Sequence, residues 1–97
     1  MSEQQPEIQV TDNPESSRYE VRVDGALAGF ADYRDTDAVR AFIHTEVDPA
    51  FGGRGVGSKL IDEALRATIA QGKRFQPLCS FVAARATKDE FAAHVAH

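Results

Sequence analysis

The chain has 97 residues, enough for one compact domain but too few for two. Its 42% hydrophobic and 27% charged residues are typical of a globular chain with a core, which excludes a disordered chain. The formal net charge of −4, with basic residues scattered rather than clustered, argues against a nucleic-acid-binding module.

The start of the chain and its cysteine content set the expected organisation and compartment. Residues 1–7 are polar and broken by Pro6, so we expect a flexible tail followed by a single domain over residues 8–97. The single cysteine, Cys79, cannot form an internal disulfide, which favours a reducing cytosol. No stretch is long and apolar enough to cross a bilayer. We therefore expect a cytoplasmic protein, either a monomer or a weak homodimer.

The first half of the chain is predicted to form four strands. Residues 7–13 fit a short strand, and residues 18–23 alternate apolar and charged side chains. Asp24-Gly25 is a hairpin signal that leads into a partner strand over residues 26–34. Residues 39–47 form the strongest strand pattern, with odd-numbered residues on one face and even-numbered residues on the other. Short turns between these strands indicate an antiparallel meander.

The second half changes period. Apolar residues in 57–71 recur at helical spacing, and Gly72 stands where a left-handed cap is expected. Residues 75–82 read as a further strand, in which Pro77 excludes an ordinary central position. Thr87 and Glu90 form a capping-box pattern that predicts a short terminal helix. The predicted order is β-β-β-β-α-β-α, an α+β fold with a mixed, mainly antiparallel sheet.

Four glycines, Gly52, Gly53, Gly55 and Gly57, separate the strongest strand from the helix. A helix N-terminus exposes unpaired N–H groups, and glycines let a backbone approach a ligand closely. The combination predicts an anion site, whereas the plain alternative is a flexible loop whose glycines serve turns. Because glycine in a first helical turn costs about 1 kcal/mol relative to alanine, the anion site is the better explanation.

Two common phosphate motifs do not fit this loop. A P-loop needs Lys followed by Ser or Thr, whereas Ser58-Lys59 has the reverse order. A Rossmann fingerprint needs G-x-G-x-x-G in a parallel unit, whereas the spacing here is G-x-G-x-G after a meander.

The segment "VDPAFGGRGVGSKLIDEAL" resembles the acetyl-CoA-binding segment of the GCN5-related N-acetyltransferase superfamily. Gly55 and Gly57 match the two glycines of its R/Q-x-x-G-x-G/A loop, while Gly52 replaces the leading Arg or Gln and Arg54 lies nearby. The resemblance implies that backbone N–H groups hold the pyrophosphate of coenzyme A and that the strand end pairs with pantetheine. The implied cofactor-binding residues are Glu46, Val47, Gly52, Gly53, Arg54, Gly55, Val56, Gly57 and Ser58.

The resemblance covers about residues 8–82. "SRYEVRVDGALAGFADY" and "PLCSFV" also resemble the minimal, single-domain YjdJ-type group, which lacks the superfamily's usual N-terminal helices. The final "RATKDEFAAHVAH" departs from that group, which leaves the acceptor side of the site open.

Two residues are candidates for the chemistry. The resemblance places Cys79 on a strand that diverges from strand 39–47, where a thiol can accept the acetyl group or protonate the leaving sulfur. The alternative for Cys79 is a buried small hydrophobe. His44 is a candidate general base, directly or through water, and the alternative is an ordinary strand histidine. His94 and His97 lie in the departing tail, in no cluster with metal-ligand spacing, so no metal is expected.

The leading hypothesis is an N-acetyltransferase that moves an acetyl group from acetyl-CoA to an amine of a small molecule or a protein lysine. The second is a non-catalytic module that binds coenzyme A or its acyl form. A structural partner protein is the third, and it leaves the glycine loop without a use.

Overall fold

The computed structural model describes residues 7–52 and 55–96. A five-stranded sheet has the order β1-β2-β3-β4-β5, in which the first four strands run antiparallel to their neighbours and β5 runs parallel to β4. This arrangement confirms the predicted α+β class. The strands are β1 Ile8–Asn13, β2 Arg18–Val23, β3 Ala26–Thr36, β4 Val39–Val47 and β5 Arg74–Pro77; the helices are α1 Val56–Ala70, α2 Ser80–Arg85 and α3 Asp89–Ala92.

The hydrophobic core lies between one face of the sheet and the helices. The predicted amphipathic helix is α1, whose apolar stripe is buried against the strands. The opposite face of the sheet carries polar and charged side chains, with Glu20, Phe30 and Glu46 side by side on neighbouring strands. The main buried side chains are Tyr19, Val21 and Phe42 from the strands, Leu60, Ile61 and Leu65 from α1, and Phe75, Val82 and Phe91 from the C-terminal part.

Two predicted turns have the expected backbone. Asp24 and Gly25 both have positive φ, 51° and 87°, as a two-residue hairpin between β2 and β3 requires. Gly72 follows α1 with φ 81°, which confirms the left-handed ending expected there.

Strand β4 departs from the predicted alternation at a β-bulge. Tyr33 pairs with Phe42 and Asp32 pairs with His44, so Ile43 is an extra residue in β4. Before the bulge, Phe42 is fully buried in the core. Beyond it, Val47 packs against the core. The prediction of one uninterrupted face over residues 39–47 was therefore wrong, since the bulge moves the odd-numbered residues to the core side and leaves His44 on the open face.

The predicted strand over residues 75–82 is also wrong in its second half. β5 ends at Pro77, the Leu78 N–H donates to the Phe42 carbonyl at 3.1 Å, and the chain then turns into α2. Pro77 has no N–H with which to extend a ladder, so the strand stops there. As expected from Pro77, β5 ends the order of the five strands, although its Phe75 also forms a parallel bridge with Val95.

The predicted capping box at Thr87 and Glu90 does not form. Lys88 is the N-cap of α3 and provides no side-chain cap, while the Thr87 hydroxyl donates to the Ala84 carbonyl. The C-terminal part therefore holds two short helices, α2 and α3, instead of one. None of the helices in residues 7–52 and 55–96 combines the length and apolar character that crossing a bilayer requires.

A buried ionic network joins β2, β3 and β4 inside the helix-covered face. The guanidinium of Arg40, whose side chain is 5% exposed, donates to both oxygens of Asp35 at 2.7 and 2.9 Å. It also donates to the Tyr19 hydroxyl at 2.6 Å and lies over the Tyr33 ring at 4.1 Å. No buried side-chain nitrogen or oxygen of the described residues lacks a hydrogen-bond partner, so the network is satisfied.

Candidate functional site

Strands β4 and β5 separate and leave a gap, called the fork here. Their pairing covers only residues 39–42 of β4 and residues 74–77 of β5. Beyond the Leu78–Phe42 hydrogen bond, the chain turns into α2 while β4 continues to Val47. In the described part of the chain, residues 43–47 of β4 therefore have no strand neighbour on the β5 side. An extended ligand is able to add its own hydrogen bonds to such an edge.

The first turn of α1 lies beside the end of β4. Gly55 is the N-cap in a left-handed conformation with φ 73°, and the Lys59 N–H donates to its carbonyl. No side chain caps this helix and no acidic residue stands in its first turn, as far as the described residues show. The positive end of a four-turn helix is thus free of a protein carboxylate of its own, which suits an external anion.

The loop that leads into α1 is ordered by local bonds on its N-terminal side. The Asp48 side chain accepts from the Ala50 N–H at 2.9 Å and starts a 3-10 turn over Pro49–Phe51. The Gly52 N–H donates to the Pro49 carbonyl at 3.0 Å. The predicted cofactor-binding residues Gly53 and Arg54 lie outside the described residues.

A groove of about 260 Å³ joins the loop, the first turn of α1 and α2. It brings together six of the residues predicted to bind the cofactor, Val47, Gly52, Gly55, Val56, Gly57 and Ser58, and adds Phe51 and Phe81. A Cβ at Gly57 would lie 2.6 Å from the Phe81 ring and 3.3 Å from the Val47 side chain. Three elements approach closely at this position, so any side chain at residue 57 has to displace the Phe81 ring. The side chain of Glu46, also predicted to bind the cofactor, faces away from this groove on the open side of the sheet.

Cys79 lies at the fork. It is the N-cap of α2, it is half-buried, and its Sγ is 3.5 Å from the Thr45 Oγ1 of β4. Burial raises the pKa of the Cys79 thiol, but hydrogen bonds to the Thr45 hydroxyl and to the N–H groups of Val82 and Phe81 outweigh burial and bring the pKa below its ordinary value. The thiolate is therefore easier to form here than on an unperturbed cysteine.

His44 occupies the other side of β4. Its Nε2 lies 2.8 Å from Glu46 Oε2, and its ring centre is 6.2 Å from that of Phe30. The side chain is 53% exposed. Because neighbouring residues of a strand face opposite ways, and Thr45 faces Cys79, the two catalytic candidates lie on opposite sides of β4. The structure does not bring His44 and Cys79 together as a pair.

Two residues of the site were missed by the sequence reasoning. Thr45 is the hydroxyl partner of Cys79, and Phe81 closes the groove over Gly57. Phe81 reaches the groove because residues 80–85 form α2 instead of a strand, and Thr45 faces Cys79 because of the bulge in β4. The one local signal was the short apolar run after Pro77, which periodicity alone does not assign to a helix or a strand.

Comparison with protein-family models gives a match over residues 18–95 to the model described as GCN5-related N-acetyl-transferase. This match spans most of the chain and includes every described element from β2 onward. A search of curated proteins returned no significant match.

Solved structures show the same fold. A structure from Desulfovibrio desulfuricans, described as an acetyltransferase of the GNAT (GCN5-related N-acetyltransferase) family, aligns with TM-score 0.52 at 23% identity. The alignment covers 59% of this chain and 38% of the Desulfovibrio chain. Ard1 from Thermoplasma volcanium aligns with TM-score 0.54 at 28% identity over 64% of this chain and 42% of its own. AAC(6′)-Iy, solved with the bisubstrate analogue CoA-S-monomethyl-acetylneamine, aligns with TM-score 0.50 at 28% identity. The alignment covers 62% of this chain and 47% of the AAC(6′)-Iy chain. The chain thus matches less than half the length of each.

Proposed function

The chain belongs to the GCN5-related N-acetyltransferase family, and on this premise we propose that it transfers an acetyl group from acetyl-CoA to an amine. The acceptor amine belongs to a small molecule or to a lysine side chain. The observation that carries the proposal is the groove at the first turn of α1, where an uncapped helix start adjoins the open edge of β4. AAC(6′)-Iy, solved with a CoA-containing analogue, supports the same class of donor.

In this proposal the diphosphate of coenzyme A binds the N–H groups of residues 53–58. The helix end contributes about half a positive charge, so an acidic protein is able to hold a polyanion here. The pantetheine arm pairs with the backbone of Glu46 and Val47, which explains how Glu46 contributes although its side chain faces away. The apolar rings of Phe51 and Phe81 exclude water from the arm.

Acetyl transfer requires a neutral amine, an oriented thioester and a proton for the departing sulfur. His44 takes the proton of the amine on the open side of the sheet, where it is exposed and bonded to Glu46. Cys79, at the fork, takes part in the transfer in one of two ways. Its thiolate attacks the thioester carbonyl, releases coenzyme A and passes the acetyl group to the amine, or its thiol gives a proton to the departing sulfur.

Coenzyme A binding is the first test of the proposal. Calorimetric titration of the protein with coenzyme A should give a Kd below about 1 mM, equivalent to more than about 4 kcal/mol. Amide NMR signals of Val56, Gly57 and Ser58 should move on titration, because their N–H groups would meet the diphosphate. Pantetheine, which lacks the diphosphate, is the matched control and should leave these signals nearly unchanged. Absence of coenzyme A binding at millimolar concentration contradicts the proposed function.

Replacing Cys79 tests its part in the chemistry. If the thiolate is acetylated, intact-mass measurement after incubation with acetyl-CoA should show one added acetyl group, and Cys79→Ala should remove it. Turnover should then fall about 100-fold, a usual size for losing such a group. The mass of the wild-type protein separates the two roles, because an added acetyl group on Cys79 indicates the nucleophile, whereas turnover without such an adduct indicates the proton donor. Full activity in Cys79→Ala means that Cys79 is structural.

One observation favours a second function, a module that binds coenzyme A without catalysis. His44 and Cys79 lie on opposite sides of β4, so neither candidate holds the other in its reactive form as a catalytic pair does. A protein that binds coenzyme A but shows no turnover across a panel of amines is the module.

A further inference from the structure

Helix α2 carries two residues of the site. Cys79 is its N-cap, and the N–H groups of Phe81 and Val82 donate to the Cys79 sulfur. The Phe81 ring lies over Gly57 and lines the groove assigned above to coenzyme A. Because α2 has six residues, it is too short to be stable by itself. The positions of the thiol and of the ring therefore depend on the contacts that attach α2 to the rest of the protein.

Asp62 of α1 holds the far end of α2. Its two carboxylate oxygens accept from Nε and Nη2 of Arg85, at 2.9 and 2.7 Å, which makes a bidentate pair. Lys88, the N-cap of α3, donates to the same carboxylate at 3.3 Å. The side chains of Asp62 and Arg85 are 13% and 29% exposed, and among the described residues theirs is the one ion pair that joins α1 to α2. A bidentate pair fixes direction as well as distance, so this one constrains the angle of α2.

Two contacts attach α2 along α1. Phe81 and Arg85 are four residues apart, so they lie on the same face of α2, about 6 Å apart along its axis. Their partners on α1, Gly57 and Asp62, are five residues apart, or about 7.5 Å along that axis. Between the two contacts, Val82 is fully buried in the core. Val82 alone would let α2 pivot about one point, whereas the ion pair at the far end prevents this rotation.

We propose that Asp62 is a positioning residue of the acetyl-transfer site and that it acts through Arg85. The pair holds α2 at the angle at which Phe81 closes the groove and Cys79 faces β4. The effect on coenzyme A rests on the proposed function, whereas the effect on the thiol does not. The proposal also gives a part in the site to the first residue of segment 85–97, which departs from the group that the sequence resembles.

Alkylation of Cys79 tests the inference without coenzyme A. Because Cys79 is the single cysteine, its rate with iodoacetamide reports one thiol, and the midpoint of the pH profile gives the thiol pKa. In Asp62→Asn and in Arg85→Gln, the N–H groups of α2 should move away from the sulfur, which raises the pKa. The fraction of thiolate at pH 7 should fall about 3- to 5-fold, the size expected for one weakened hydrogen bond.

The two variants together separate position from charge. Asp62→Asn removes a negative charge and Arg85→Gln removes a positive one, so a direct effect of charge would shift the thiol pKa in opposite directions. A rise in both variants therefore indicates a change of position. The double variant should resemble either single variant, since all three break the same pair. Coenzyme A should bind both single variants at least about 5-fold more weakly, because the Phe81 ring is displaced.

The control is Glu90→Gln, which breaks the Arg66–Glu90 pair. This pair is also bidentate, but it joins α1 to α3. The control should keep the wild-type alkylation profile and the wild-type affinity for coenzyme A. A wild-type profile or affinity in both Asp62→Asn and Arg85→Gln, shifts of opposite sign, or an equal shift in Glu90→Gln overturns the inference. If the wild-type protein does not bind coenzyme A, the proposed function fails, whereas the alkylation profiles still decide the inference.

Discussion

Replacing Gly57 with alanine is expected to weaken coenzyme A binding about 10-fold or more and to change the free energy of unfolding by less than about 1 kcal/mol. An alanine Cβ would lie 2.6 Å from the Phe81 ring, which is 39% exposed and therefore able to move. The displaced ring then occupies the groove or widens it. Alanine also favours the first helical turn by up to about 1 kcal/mol, which offsets the strain. Coenzyme A calorimetry and urea unfolding of the same samples measure the two effects.

Phe81 provides an internal check on the cause. If the ring transmits the effect, the double variant Gly57→Ala/Phe81→Ala should bind coenzyme A as Phe81→Ala does, which is a coupling of about 1 kcal/mol. Gly25→Ala is the control for a general glycine effect. Gly25 has φ 87° with no atom within 4 Å of an added Cβ, so alanine should cost about 1–2 kcal/mol of stability there without changing affinity. Wild-type affinity in Gly57→Ala contradicts the assignment of the groove.

Local sequence signals were sufficient to predict the hairpin between β2 and β3, helix α1 and its left-handed end, and the special backbone of the glycine loop. Asp24-Gly25 predicted its hairpin because the positive φ at both residues is a property of two residues alone. The stripe of α1 and the left-handed Gly72 followed from period and turn chemistry in the same way. Glycine at Gly55 and Gly57 has a local cost that predicts a special backbone or a close approach, and the structure has a positive φ at Gly55 and close packing at Gly57, while binding of a cofactor there stays a prediction.

The elements that were mispredicted depend on contacts between distant segments. The bulge at Ile43 lies where the pairing register of β3 and β4 shifts between Asp32 and Tyr33. The sequence of residues 39–47 alone alternates regularly and does not show this shift. The segment after Pro77 has the apolar content of either a strand or a helix, and the choice depends on packing of Val82 in the core. Both features determine the site, since the bulge places Thr45 opposite Cys79 and α2 places Phe81 over Gly57.

Asp35→Ala is expected to destabilise the protein by about 2 kcal/mol or more, whereas Arg40→Met should cost less than half as much. Removing one partner of a buried pair leaves the other charge uncompensated, at about 3–5 kcal/mol for full burial. Asp35 is 38% exposed, so water partly replaces its carboxylate and the expected cost is discounted. Methionine instead removes the buried charge and fills a similar volume. Urea unfolding of both variants measures the asymmetry.

The double variant Asp35→Ala/Arg40→Met should be close to Arg40→Met alone, since no buried guanidinium then remains. The control is Glu90→Ala, which removes the carboxylate from the bidentate but exposed Arg66–Glu90 pair and should cost much less than Asp35→Ala, because water replaces an exposed partner. Acid adds a second check. The hydrogen bond from Arg40 holds the pKa of Asp35 below its ordinary value despite burial, so the pair stabilises the fold above the unfolded pKa near 3.9 and loses that contribution as pH falls through the folded pKa. The difference between wild type and Asp35→Ala should therefore shrink as pH falls below about 4. An equal cost for Asp35→Ala and Glu90→Ala contradicts the role of burial, because the two pairs share their bidentate geometry and differ mainly in the exposure of the arginine, 5% for Arg40 and 45% for Arg66.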